Sequence, residues 1–531
     1  MVTIMWFFMR SISFFLLLGA ALGSQAAEGP PGDKPAEALA SATLVEALPA
    51  IAGLEPATFL RMLVARNLDL QYSQRNTDVT RHLGAAEAAL YEPVSFMSVR
   101  REGRDRQRSA DELLRLNIST PILQEAVTTK EVGIRSKTPT GADVSMSYSI
   151  AARTNNLIPQ NTTGVSEYTG ALTLTVKQPL LRNAGRSVTE TDKRIAELEH
   201  SASVQQLTQQ AFKTGIDGLN LYWQLHKAQE IVKLRVKARA ISQSLLSDAE
   251  FRVLAGRTPE NALLELRGNV LNREAELLRS QQSLQESQSK LLTALDVPWT
   301  ENATASTAPQ WHTAAPVLPP PATLLEETLS VWSPYQVALI RQQQAKIRLD
   351  FARNQTRPLL DLVISYAGTG LDYKRSAAVD VTLRTKYPDW YVGLNLELPV
   401  GGSQKAREQF LAQSARVDQS DLEVHAIRAS FVNDLTVRLT DMQNAYAVIR
   451  LGAEELKLRQ SIFNNERKRI ELGAGSLSNL IQKQADLIEA DQRVLENQVR
   501  YEIALATWQY TRGSLLADSG IQIIDSFPSF N

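Results

Sequence analysis

Five histidines, a Gly401-Gly402-Ser403 turn and a scatter of carboxylates are the groups through which this chain could do chemistry, and they form no working set. His82, His200, His226, His312 and His425 show no i, i+4 pairing and no carboxylates at ligand spacing, so each reads as a surface or seam histidine. Gly401-Gly402-Ser403 opens a helix as an anion loop would. No phosphate-binding fingerprint follows it, and a strand-to-helix turn is the simpler reading. The absence of cysteine excludes disulfides, thiolate metal sites, Fe–S clusters, a Cys nucleophile and a lipidated cysteine at a mature N-terminus. With 57 basic and 57 acidic side chains there is no positive excess to bind nucleic acid. No enzyme hypothesis has a constellation behind it, and no cofactor is expected. The residues that do stand out are helix punctuation. Arg252 precedes Gly256 by four residues, and Arg469 precedes Gly473 by four. Glycine permits the φ > 0 reversal of a tight helix–helix turn, and Thr258 or Ser476 is placed to cap each returning helix.

The elements that hold those turns are long helices. Pro56 starts a helix whose apolar residues recur at helical spacing to about Tyr91. A much longer helix is expected from Ser187, marked by a Ser187–Glu190 capping box, to about Leu254. Thr258-Pro259 restarts a helix that continues to about Leu295. A second set follows the proline-rich stretch Pro298–Pro321: Ala322–Arg357 with a break at Ser333-Pro334, a very long helix from Ser403 to about Leu472, and a return helix from Ser476 to about Leu516. The order repeats, so the chain is a duplicated unit: 56–296 and 322–516, joined by a linker at 297–321. Segment 27–55 reads as a flexible leader and 517–531 as a C-terminal tail. Arg10 ahead of the apolar run Ile12–Leu22, then Ser24-Gln25-Ala26, reads as a cleaved signal peptide over 1–26, so the protein is expected to be exported. At 531 residues the chain is too long for one ordinary core, and helices of roughly 70 residues span ~100 Å, so their apolar residues are read as seams between neighbours.

Between the helices lie four runs of period-two alternation: Asp143–Ala151, Ala171–Lys177, Leu360–Tyr366 and Val392–Leu398. Extended slightly, they approach the ~9–11 residues of a tilted strand crossing an outer membrane. Pro93–Arg101 and Glu131–Ser136 are weaker candidates for extra strand beside the first hairpin. Four strands cannot close a membrane barrel, whose smallest examples have about eight, so spanning strands would imply an oligomer.

At this level the chain resembles the TolC-like outer-membrane factor family. The resemblance rests on the signal peptide, the duplicated helix–hairpin–helix unit, Ala65-Arg66-Asn67-Leu68-Asp69-Leu70, Gln178-Pro179-Leu180-Leu181-Arg182-Asn183, and the run Arg469 to Leu480 at the second helical turn. It implies a mainly α protein with a membrane β-barrel part: a coiled-coil tunnel plus four strands per chain in a shared 12-stranded trimeric barrel. It further implies a homotrimer in outer-membrane lipid, reaching into the periplasm. There it would meet a periplasmic adaptor and an inner-membrane pump and serve as a passive duct for efflux or type I secretion. On the same resemblance Arg252, Gly256, Thr258, Arg469, Gly473, Ser476 and Leu480 become adaptor-docking tips. Asn479 and Gln482 take neutral places where better-known members ring the tunnel mouth with acids, leaving Asp486, with Glu265 on the other hairpin, as the expected gate and selectivity residues. The alternative class is a periplasmic coiled-coil adaptor or scaffold without a pore.

Overall fold

The computed structural model describes residues 51–116, 121–156, 166–254, 260–297, 304–309, 311–312, 321–472 and 474–521. Nearly all of them belong to one compact unit, Ala52–Asn531. The expected signal peptide lies outside the described residues.

A six-stranded antiparallel sheet occupies one end of this unit. Its strands are β2 (Val94–Gln107), β3 (Ile122–Lys137), β4 (Asp143–Asn155), β5 (Glu167–Pro179), β7 (Leu359–Asp372) and β8 (Tyr387–Glu397), adjacent in that order. The expectation of four strands is therefore corrected to six. The four alternating runs are β4, β5, β7 and β8, while the weaker candidates grow into β2 and β3, which pair along the whole of β2. Their pattern is obscured because β2 carries charge on both faces from Arg100 to Arg106, and Lys130-Glu131 interrupts β3.

The pairing fixes which side chains share a face. Ser95, Ile134, Met146, Leu174, Tyr366 and Trp390 stand opposite one another in a row across all six strands, and Met97, Val132, Tyr148, Leu172, Gly368 and Pro388 form the next row. That face is apolar. The other carries Ser145, Ser147, Thr173, Thr175 and Ser365, with Thr175 Oγ1 and Ser365 Oγ 3.3 Å apart. A short helix after β7, Arg375–Leu383, folds back onto the apolar face, where Gly170 and Gly370 leave it room. A Cβ on Gly370 would lie 2.7 Å from the Ala378 carbonyl oxygen and the Thr382 nitrogen.

From the sheet the chain runs into helices. In chain order they are α1 (Pro56–Arg66), α2 (Leu68–Ala88), α3 (Ala110–Leu116), α4 (Arg186–Thr189), α5 (Thr191–Leu254), α6 (Asn261–Ala294), α7 (Pro321–Val331), α8 (Ser333–Gln355), α9 (the Arg375–Leu383 helix), α10 (Gln404–Glu471), α11 (Leu477–Arg512) and α12 (Leu515–Asp518). At 64 and 68 residues, α5 and α10 are each about 100 Å long. Along α5 the neighbours are α2 near the sheet and α6 farther away; along α10 they are α8 and then α11. Contacts of α5 with α8 and α11 join the halves, so the rows read α2–α5–α8–α10 near the sheet and α6–α5–α11–α10 beyond. The middle is held by a core in which Phe431, Met442, Tyr501 and Trp508 are buried together.

Several boundaries differ from expectation. The first helix is broken at Asn67, whose extended backbone ends α1 and whose Oδ1 accepts the Leu70 N–H at 3.1 Å, capping α2. The Ser187–Glu190 capping box does not form. The long helix starts at Thr191, and Glu190 instead accepts bonds from Arg186 Nε at 2.9 Å and the Tyr91 hydroxyl at 3.0 Å. The Arg186 bond holds the Glu190 carboxyl below its ordinary range. The return helix stops at Arg512, where Gly513 adopts φ 74°, a left-handed cap that leaves α12 separate. Neither the leader nor the linker is wholly loose: β1 (Ile51–Leu54) pairs with β6 (Ala305–Thr307). The Tyr222 hydroxyl donates to the Leu54 carbonyl at 2.7 Å, and Gln229 Oε1 accepts from the Thr307 hydroxyl at 2.7 Å, binding this two-stranded belt to α5.

Candidate helical tips and tunnel mouth

The far ends of the two long hairpins come together. Leu245, Ala249, Leu266, Phe463 and Leu480 form one buried cluster drawn from α5, α6, α10 and α11. Leu480 is thus a core residue, correcting its place among the docking contacts: a side chain 1% exposed holds the hairpins together and offers nothing to a partner. One turn along α11, fully buried Gln484 sends Nε2 to the Ala238 carbonyl at 3.3 Å and to Ser242 Oγ at 3.1 Å. Asn269 Nδ2 donates to Ser242 Oγ at 3.3 Å. This polar knot ties α5, α6 and α11 in one register, since each buried group would be costly to leave unpaired.

At the second turn, Arg469 closes its own loop. Its Nη1 lies 3.2 Å from Glu466 Oε2, its Nη2 donates to the Ala474 carbonyl at 3.3 Å, and its carbonyl accepts the Ala474 N–H at 2.9 Å. Ser476 stands at the start of α11 but makes no capping bond with its side chain, which corrects the capping role given to it. The glycine that this turn requires by contact is Gly475, where a Cβ would sit 2.9 Å from the Ile470 nitrogen. Arg252 reaches across from α5, and its Nη1 donates to the Ile470 carbonyl at 3.1 Å. Gly256, Thr258 and Gly473 lie outside the described residues.

Sequence reasoning missed three exposed apolar side chains at these helix ends: Phe251 at 72%, Leu254 at 86% and Leu472 at 84% exposure. The available signal was large hydrophobes within five residues of a helix-reversing glycine, where water is the default neighbour.

Of the expected gate residues, Asn479 and Gln482 are exposed on α11, and Gln482 Nε2 donates to Asp486 Oδ1 at 3.0 Å. Asp486 is only partly exposed and already compensated, with Arg459 Nη1 at 3.4 Å and Lys483 Nζ at 3.6 Å. Glu265 is exposed on α6 and makes no ion pair among the described residues. The structure therefore joins Gln482 and Asp486 by a hydrogen bond, with no bond from Glu265 to either among the described residues.

Nearer the sheet, the strand-to-helix junction explains the Gln178–Asn183 motif. Asn183 turns the chain with φ 63°, its N–H donates to Asn354 Oδ1 at 2.7 Å, and Asn354 Nδ2 donates to the Leu181 carbonyl at 3.3 Å. Gly401 and Gly402, at φ 91° and 88°, make the matching strand-to-helix turn before α10. Among the described residues no cluster of three or more His, Asp or Glu could hold a metal ion, and no helix is long and apolar enough to cross a membrane.

This arrangement, long paired helical hairpins continued by a sheet with one apolar face, is the fold of the TolC-like outer-membrane channels. Among solved structures, the outer-membrane channel OprN superposes with a TM-score of 0.63 at 13% identity, over 86% of this chain and 89% of that one. The open state of the Neisseria gonorrhoeae MtrE outer-membrane channel gives 0.61 at 13% identity, over 87% and 89%. The Campylobacter jejuni CmeC outer-membrane channel gives 0.60 at 12% identity, over 87% and 86%. No protein-family model matches the sequence, and no curated protein matches it.

Proposed function

We propose that this protein is the outer-membrane channel of a tripartite efflux or type I secretion system, a passive duct running from the periplasm through the outer membrane. The observation that carries the reading is the sheet's largely apolar face, on which, among the described residues, the short helix α9 packs against β5 and β7. Leu394, Leu396, Val392 and Trp390 of β8 are all exposed there, an expanse that water does not tolerate and lipid does. Exposed Tyr373, Tyr387, Trp390 and Tyr391 supply aromatics suited to a membrane interface.

Self-assembly follows from the outer helices. On α6, Leu264, Leu271 and Leu278 are exposed at seven-residue spacing, and on α10 so are Val437, Leu451 and Leu458 at multiples of seven. Such stripes are coiled-coil seams awaiting partners, and they lie on helices at opposite ends of the row. Two different surfaces meeting head to tail generate a ring, here a homotrimer. The exposed tip residues Phe251, Leu254 and Leu472 then face a periplasmic adaptor and, through it, an inner-membrane pump.

The test is extraction and conductance. The protein should leave membranes only in detergent, migrate as a trimer and conduct in planar bilayers. Leu271→Glu with Leu451→Glu should abolish the trimer while leaving the chain helical, since both side chains are exposed in the single chain. A protein that extracts in buffer and never conducts would instead be a periplasmic scaffold.

A further inference from the structure

The two edges of the sheet carry a consequence for how copies join. A shared barrel needs each chain to offer two free edges, and an open edge does not persist in hydrocarbon. The outer edge of β4 is not free: β3 pairs with it from Lys137–Asp143 to Glu125–Asn155. The free edges are β2 and β8.

We propose that copies of this chain join through β2 of one and β8 of the next, so that each contributes six strands and a trimer closes an eighteen-stranded barrel. The proposal rests on the reading of the chain as a trimeric membrane duct and adds the identity of the joint. Three observations support it. An antiparallel sheet of six strands sends β2 and β8 in opposite directions, so the closing pair is antiparallel like every other. The α2 helix, which leads into β2, and the α10 helix, which continues β8, are the two ends of the helix row, so head-to-tail packing of helices brings these strand edges side by side. On the lipid-facing side, Met97 and Val99 of β2 are exposed in the lone chain, as are Trp390, Val392 and Leu394 of β8.

The charges of the inserted hairpin fit this placement. Arg101 and Lys130 share the apolar face of the sheet, and Lys130 lies in the same row as Gly170 and Gly370, the level covered by α9. They mark the outer rim of the apolar band, where long basic side chains reach the headgroups. On the opposite face, Arg100, Arg104 and Arg106 line the lumen, with Arg100 Nε 3.0 Å from Glu102 Oε1 and Arg106 paired to Glu112. Because barrel diameter grows roughly linearly with strand number, the mouth would be about half again as wide as that of a twelve-stranded barrel.

The absence of native cysteine makes the test direct. In full-length protein, Met97→Cys or Val99→Cys is combined with cysteine at Trp390, Val392 or Leu394, and membranes are oxidised. A second set combines Tyr148→Cys or Ile150→Cys of β4 with the same β8 positions. Single-cysteine chains and detergent-dependent trimer migration control for folding. The expected result is a covalent trimer for at least one β2–β8 pair and none for any β4–β8 pair. Cross-linking of β4 to β8 in a detergent-dependent trimer overturns the joint and leaves the channel reading standing. No cross-link in either set, from protein that extracts without detergent, overturns both.

Discussion

Arg252 at the end of the first long helix donates a hydrogen bond to the Ile470 carbonyl at the end of the second, 3.1 Å away and 218 residues later. The bond places a cation against the negative end of α10, where unpaired carbonyls collect. It joins the tips of two hairpins that are otherwise held there by the Leu480 cluster and the Gln484 knot. Arg252→Ala should loosen the mouth and raise single-channel conductance, with Arg252→Lys in between. Unchanged conductance in both variants would show that the tips are held by packing alone.

The Gln484 knot should matter for stability. Gln484→Ala leaves Ser242 and Asn269 without their shared buried partner, a loss of about 1–3 kcal/mol per chain. Thermal unfolding of the detergent-purified protein should shift down measurably, whereas Gln482→Ala on the exposed face of the same helix should leave it in place.

Ion selectivity should respond with opposite signs on the two sides of the Asp486–Arg459 ion pair. Asp486→Asn leaves Arg459 and Lys483 with an uncompensated charge and should move reversal potentials toward anions. Arg459→Gln should move them toward cations. If neither substitution shifts the reversal potential, this network lies outside the conduction path.

The belt should be acid-sensitive. His226 packs against Trp223 and Trp311, with Nδ1 3.0 Å from Thr307 Oγ1, and burial holds its imidazole below the ordinary value of 6.5. The unfolded chain therefore takes up the proton more readily than the folded one. This contribution is present in full above the ordinary histidine value and is lost as the pH falls from there through the lower value of the folded state. His226→Gln should flatten the fall in melting temperature between about pH 8 and about pH 5, and an unchanged slope would assign that fall to other groups.

Legibility in the sequence followed the length of the pattern. The long helices α5 and α10 could be placed within a few residues because apolar periodicity accumulates over many turns. The centres of β4, β5, β7 and β8 were legible too, where Val144-Met146-Tyr148 and Leu360-Leu362-Ile364 alternate cleanly, but β7 runs on past Tyr366 to Asp372 and β8 begins before Val392, at Tyr387. Strand β2 was only partly legible, since Arg100–Arg106 puts charge on both faces and removes the signal that alternation provides. At the tips, Arg469 and Arg252 were visible, but the bonds by which they close the turn and join the hairpins go to the backbone carbonyls of Ala474 and Ile470, which no side-chain pattern announces. Leu480 was misassigned for a related reason: its position after the turn said nothing about the three helices that close over it.

The belt also orders events in time. Gly53 donates to the Ser306 hydroxyl across 253 residues of chain, and Ala308 donates to the Leu54 carbonyl. A contact of such sequence separation forms only after the intervening segment has collapsed, because its loop must close before any bond rewards it. If the chain is delivered N-terminus first, β1 has no partner until the whole first repeat and half of the linker have followed. The two-stranded clasp is then the step that commits the first repeat to its final packing, and a chain cut before Ala305 would leave that repeat unlatched.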